Sequence, residues 1–189
     1  MARAVGVLGG TFDPVHNGHL AIGRAALEVL GLARVLWVPT GHPPYRRPPI
    51  AAAEHRVAML ALALAGEPRW TIDTRELAPA HSGYTVETLR ALRAELDAAT
   101  ELVLLMGADQ YAALETWREP DAIRALARLA VFARPGLPEP CGVEVVPMTP
   151  LAVSGTEIRA RIARGEDVSA LVPPAVAAYI ARHRLYGHP

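Results

Sequence analysis

At 189 residues and 20.2 kDa, with 51% hydrophobic residues, the chain has the size and composition of one globular domain, residues 1–189, with a sizeable core. Its 19 basic side chains, all arginine, balance 19 acidic ones at a pI of about 7.1, which excludes a broad basic surface for a nucleic acid polymer or anionic lipid. Cys141 is alone, which excludes an intramolecular disulfide and a cysteine zinc cluster, and the longest apolar run, Val57 to Ala65, is too short to span a bilayer. A soluble, cytoplasmic protein is expected.

The chain opens with an apolar run, Val5 to Leu8, that predicts a strand ending in Gly9-Gly10. After Gly18 the spacing of Gly23, Ala26, Leu27 and Leu30 predicts a helix, with Gly31 past its end. A strand end feeding a helix start gathers free backbone N–H groups and a helix dipole, so an anion is favoured there. Gly9 and Gly10 have no side chain to hold a phosphate off, Thr11 adds a hydroxyl, and His16 and His19 bring two imidazoles. The i, i+3 spacing of those histidines, with a glycine between, departs from the i, i+4 pair of a zinc helix.

Val35 to Val38 predicts a second strand, ending in Pro39-Thr40-Gly41 at the same edge. The prolines of residues 42–49 forbid regular structure, leaving a stiff connection or a lid whose Arg46 or Arg47 reaches a phosphate. Ala51 to Ala65 predicts a helix with His55 on its polar face, and Trp70 to Asp73 a short strand. Thr85 is placed as the N-cap of a helix whose buried face is Val86, Leu89, Leu92 and Leu96. Glu101 to Met106 is the strongest buried strand and runs into Gly107-Ala108-Asp109-Gln110, where Asp109 is either a ribose acceptor or a helix cap. Trp117 is expected on the next helix. Leu129 to Ala133 and Val143 to Val146 complete the sheet, with Arg134 opening a proline-punctuated loop to Pro140. Ser154 and Glu157 have the spacing of a capping box, Gly165 ends that helix, and Pro173-Pro174 starts a last one with Val176, Tyr179 and Ile180 inward. The residues from Gly187 on are expected to fray.

The segment GGTFDPVHNGHL, with its HxGH element His16-Asn17-Gly18-His19, resembles the signature of nucleotidyltransferases distantly related to class I aminoacyl-tRNA synthetases. Residues 84–88, YTVET, and the GADQ of 107–110 followed by Trp117 resemble elements of one branch, the nicotinate-nucleotide adenylyltransferases. Residues 154–159, SGTEIR, resemble that family's usual SSTxIR with Gly155 in place of a serine, and Pro-Pro-Tyr45-Arg46 stands where Pro-Pro-His-Lys is usual.

The resemblance implies an α/β fold, a single Rossmann-like doubly wound parallel sheet with helices on both faces. It also implies transfer of adenylate from ATP to nicotinate mononucleotide in NAD biosynthesis, with Mg²⁺ brought on ATP and no protein cage for it. Catalysis would fall to His16, His19 and Arg159. ATP would be held by these and by Gly9, Gly10, Thr11, Phe12, Gly107, Asp109, Ser154 and Thr156, and the mononucleotide by Thr40, Arg46, Tyr84, Thr85, Trp117 and Arg134. A pantetheine-phosphate adenylyltransferase shares the HxGH element. The same residues would also suit a nucleotide-binding module without chemistry, or a phosphohydrolase with a metal on Asp13, His16 and His19.

Overall fold

A computed structural model describes residues 4–44, 47–133, 140–149 and 151–187. Six strands form one parallel sheet: β1 Val5–Gly10, β2 Arg34–Pro39, β3 Trp70–Ile72, β4 Leu102–Gly107, β5 Arg128–Phe132 and β6 Glu144–Val146, in the order β3-β2-β1-β4-β5-β6. The order reverses direction between β1 and β4, so the crevice beyond Gly10 and Gly107 is the switch point where such sheets bind ligands.

Alternation along the strands divides the core between the two faces. Leu8, Val35, Trp37, Val103 and Leu105 pack with Leu20 and Ala26 of α1 (Asn17–Val29), Met59 and Leu60 of α2 (Ala53–Leu64), Ile158 of α6 (Gly155–Ala163) and Val176 of α7 (Pro174–Arg182). Val5, Val7, Leu36, Val38, Leu104 and Met106 face Val86, Leu89 and Leu92 of α3 (Thr85–Glu95) and Ile123 of α5 (Pro120–Leu126). Helices therefore cover both faces of the sheet, as a doubly wound fold requires. The short α4 (Ala108–Ala112) follows β4 directly.

Several local expectations shift. β1 runs two residues past Leu8 because Gly9 and Gly10 pair with Val38 and Pro39 of β2, while Glu101 is exposed and lies before β4. The N-cap of α3 is Tyr84, in extended backbone, and Thr85 is already its first helical residue. Trp117 is not on a helix: a 3₁₀ turn, Leu114–Thr116, ends at it and α5 begins only at Pro120. Ser154 does cap α6, its Oγ accepting from the Glu157 N–H at 3.2 Å, but the Glu157 carboxylate turns to Arg161 at 2.8 Å and leaves the capping box half made. Leu30, Leu96 and Tyr179 are half-buried, since each lies at or near a helix end. The C-terminal residues through Gly187 form a 3₁₀ turn, and the expected fraying of His188 and Pro189 lies outside the described residues. Among the described residues no helix is long and apolar enough to cross a membrane.

Candidate active site

The strand β1, the glycine turn and the start of α1 build one wall of the crevice. Gly18 has to be small, because a Cβ there would stand 2.8 Å from Val153 Cγ1 and 3.1 Å from His16 Nδ1. With that side chain absent, the two imidazoles stack at 3.7 Å between centroids and 21° between planes. The His16 backbone N–H donates to His19 Nδ1 at 3.3 Å, so His19 carries its ring hydrogen on Nε2. The Phe12 ring meets His19 edge-on at 5.0 Å.

Opposite this wall, α6 supplies Arg159. Its Nη1 donates to the Asp13 carbonyl at 2.7 Å and its Nη2 lies 3.3 Å from Thr156 Oγ1. A Cβ at position 155 would stand 3.1 Å from that Asp13 carbonyl and 3.2 Å from Arg159 Nη1, so the glycine eases this approach. Asp13 is the hub of the region. Its buried carboxylate accepts from the Ile50 N–H (2.7 Å), the Ala51 N–H (3.1 Å) and the Tyr186 O–H (2.8 Å), and Arg159 Nη1 is 3.9 Å away. Burial, together with that carboxylate, pushes the Tyr186 phenol up, so it remains a donor. These three donors use the oxygens that a metal would need. Among the described residues no group of three His, Cys, Asp or Glu side chains is placed to hold a metal ion.

Asp13→Asn should therefore cost stability. The amide would set an NH₂ against N–H donors, leaving buried groups unpaired at about 1–3 kcal/mol. We expect a fall in melting temperature of about 4–8 °C for a loss near 2 kcal/mol in a chain of this size. An unchanged melting curve would show that the hub carries no such energy.

Arg56, 2% exposed, lies beneath the turn, and nothing local in the sequence marks it. Its Nη1 donates to the Thr11 carbonyl at 2.6 Å and its Nε to the Ala51 carbonyl at 3.2 Å. Burial pulls its guanidinium down, and the Asp13 carboxylate opposes this. His55, expected on a polar face, is half-buried and meets the Tyr179 hydroxyl at 3.0 Å.

Two cavities open at the crevice. The larger, about 410 Å³, is lined by Gly9, Gly10, Thr11, His16, His19, Gly107, Asp109, Ser154, Thr156 and Arg159, and Arg47 of the proline-rich loop also borders it. The smaller, about 90 Å³, is lined by Thr40, Glu76, Thr85, Thr88 and Trp117, and shares Gly9, Gly10, Thr11 and Gln110 with the first. Nothing lies within 4 Å of where a Gly9 Cβ would stand, so a ligand can approach that backbone closely, and Gly9 borders both cavities. Gly83, at φ +77°, passes so close to the His42 carbonyl that a Cβ would be 2.2 Å from it, and this contact joins the proline-rich loop to the segment that enters α3.

The structure thus brings the residues expected around ATP, Phe12 apart, to the wall of the larger cavity, and Thr40, Thr85 and Trp117 to that of the smaller. Phe12 instead has its ring buried in the core, 1% exposed, so only its backbone can serve a ligand. Tyr84 lines neither cavity. Its ring lies under the Arg118 guanidinium, 4.9 Å from it. Arg46 and Arg134 lie outside the described residues. Glu76, in a 3₁₀ turn at Arg75–Leu77, is the other site residue that sequence reasoning misses, since nothing local marks a buried carboxylate.

A profile of the cytidylyltransferase-like family matches residues 7–161. Over its length the chain is 43% identical to a protein of Laribacter hongkongensis named as a probable nicotinate-nucleotide adenylyltransferase, covering 97% of this chain and 94% of that one. A protein of the same name from Bordetella petrii is 42% identical, covering 97% and 99%. In three dimensions the chain is similar to the nicotinic acid mononucleotide adenylyltransferase of Plasmodium falciparum solved with APC, at a TM-score of 0.84 over 99% of this chain and 98% of that one, with 14% identity. The family match over residues 7–161, together with 42–43% identity over 94–99% of the length of these relatives, means that the chain belongs to the cytidylyltransferase-like family and, within it, to the nicotinate-nucleotide adenylyltransferases.

Proposed function

We propose that residues 1–189 act as one nucleotidyltransferase domain that joins ATP to nicotinate mononucleotide, giving nicotinate adenine dinucleotide and pyrophosphate, in the cytoplasm as a step of NAD biosynthesis. The observation that carries this is the pair of cavities meeting at Gly9, Gly10 and Thr11: one is bordered by imidazole, guanidinium and hydroxyl groups, the other by an indole and a helix start. A triphosphate suits the first and a flat ring bearing a carboxylate the second.

In the reaction a phosphate oxygen of the mononucleotide attacks the α-phosphorus of ATP, and the bond from that phosphorus to the bridging oxygen breaks to release pyrophosphate. The attacking oxygen is already anionic, so no general base is required, and the protein contributes alignment and charge stabilisation. His19 Nε2–H, His16 and Arg159 would face the charge that develops on the phosphates, with Ser154, Thr156 and the N–H groups of residues 9–12 beside them. Asp109, just past β4, would accept from the ribose hydroxyls. ATP brings Mg²⁺ on its own phosphate oxygens, which supplies further neutralisation there. Thr85 and Trp117 would hold the nicotinate end, with Tyr84 capping the helix start behind them, while Thr40 and the arginines Arg46 and Arg134 would serve the acceptor phosphate.

A metal-dependent phosphohydrolase fits less well, because the Asp13 oxygens are engaged by two backbone N–H groups and a phenol. The test is to supply ATP and Mg²⁺ with nicotinate mononucleotide, its amide, or phosphopantetheine, and to follow pyrophosphate and the coupled product. Turnover should be fastest with nicotinate mononucleotide. Fastest turnover with phosphopantetheine would overturn the assignment.

A further inference from the structure

The smaller cavity contains an unexpected charge. Of the described residues that line it, Glu76 alone carries an ionisable carboxyl or a basic group, and its side chain is 5% exposed. The backbone holds it in place, since the Gly41 N–H donates to the Glu76 carbonyl at 3.2 Å. The neighbouring cation is committed elsewhere: Arg75 is bound to Asp73 at 2.7 Å and to Glu95 at 2.9 Å.

The hydrogen bonds around Glu76 have a fixed direction. Gly83 N–H donates to His81 Nδ1 at 3.0 Å, which leaves the ring hydrogen of a neutral His81 on Nε2. That nitrogen lies 3.4 Å from Thr88 Oγ1, and Thr88 in turn donates to Glu76 Oε1 at 2.6 Å. The chain of donors therefore ends on an accepting carboxylate. Burial raises the Glu76 carboxyl above its ordinary value, the Thr88 and Thr40 hydroxyls and His81 pull it back, and Asp73 adds to the rise. Burial disfavours the charged form of Glu76, and with Arg75 committed elsewhere a cation brought into the cavity is the partner that would hold it ionised.

We infer that Glu76 is the counter-charge for the ring nitrogen of the acceptor, a specificity-determining residue that selects a pyridinium over a neutral ring. This rests on the function proposed above. The ring nitrogen of nicotinate mononucleotide is bonded to ribose and carries a permanent positive charge, while its carboxylate sits at the 3-position, meta to that nitrogen and directed away from it. The two charges then meet different partners: the start of α3 takes the carboxylate, and Glu76 with the Trp117 face takes the cation. The amide mononucleotide carries the same pyridinium, so Glu76 acts on acid and amide alike.

The experiment measures dissociation constants, by calorimetry on the full chain, for the acid and amide mononucleotides and for their 1,4-dihydro forms, whose ring nitrogen is neutral. The protein should bind each oxidised form about tenfold more tightly than its dihydro form, equivalent to about 1.4 kcal/mol. Glu76→Gln keeps the shape and removes the charge, and it should erase most of that ratio while changing the affinity for the dihydro forms less than about twofold. Equal binding of oxidised and dihydro forms by the unmodified protein would overturn the inference, and so would an equal loss for both in Glu76→Gln. Tighter binding of the acid alone by Glu76→Gln would place the carboxylate beside Glu76 and also overturn it. The comparison in the unmodified protein stands even if the variant does not fold. Failure of the underlying function is recognised separately, as absence of adenylyl transfer to any pyridine mononucleotide.

Discussion

Replacing His19 with alanine should lower kcat about 10²- to 10³-fold, the effect of removing one preorganised donor from a developing charge. The geometry supports a loss of that size. His19 lies in the first turn of α1, lines the larger cavity, and is fixed from two sides, by the stacked His16 ring at 3.7 Å and by the His16 N–H on its Nδ1 at 3.3 Å. The second contact leaves the hydrogen on Nε2, so the ring needs no reorganisation to donate. Stability should change little, because the side chain is half-buried at a cavity wall and the hydrogen bond it accepts from the His16 N–H is worth about 1 kcal/mol, or about 2–4 °C. A variant that melts early yet keeps its turnover per folded molecule would make the histidine structural.

The acid mononucleotide should be preferred over the amide by on the order of 10²-fold or more in kcat/KM, since each 1.4 kcal/mol is about tenfold. The smaller cavity meets the start of α3 at Thr85, and the first N–H groups of a helix have no partner inside it. The Tyr84 N–H is already directed to Ser82 Oγ at 3.3 Å, so of these first donors it is Thr85, on the cavity wall, that can face a ligand. A carboxylate presents acceptors only and suits both the donors and the positive helix end. An amide would set an NH₂ against an N–H in a site bordered by the Trp117 indole, at about 1–3 kcal/mol per unpaired group, and would give up a charge-assisted hydrogen bond. Equal kcat/KM for the two mononucleotides at one saturating ATP concentration would show that this helix start does not read a carboxylate.

What the sequence makes legible is what is local. The apolar run of β1, its glycines and the histidine spacing are contiguous, and the structure places them as one strand, turn and helix. The parts not legible there are contacts between distant residues. Asp13 meets Ile50, Arg159 and Tyr186 across separations of 37, 146 and 173 residues, and Arg56 reaches Thr11 across 45. Asp13 stands out inside the signature, but its donors do not. Periodicity also fails for short elements. The 3₁₀ turn at Leu114–Thr116 has no helical repeat to betray it, so the pattern misplaces Trp117 on a helix, and the turn carrying Glu76 leaves no periodic trace either. At α3 the hydroxyl of Thr85 suggests a cap, whereas the hydroxyl that serves the entry is that of Ser82, which accepts from Tyr84 and donates to Glu87 at 2.5 Å.

The most direct test of adenylyl transfer follows the phosphorus atoms. Given Mg²⁺, nicotinate mononucleotide and ATP labelled at the α-phosphorus, the protein should place the label in the dinucleotide, whereas ATP labelled at the γ-phosphorus should yield labelled pyrophosphate. Label from the γ-phosphorus appearing as orthophosphate, with none from the α-phosphorus joined to the acceptor, would contradict the account.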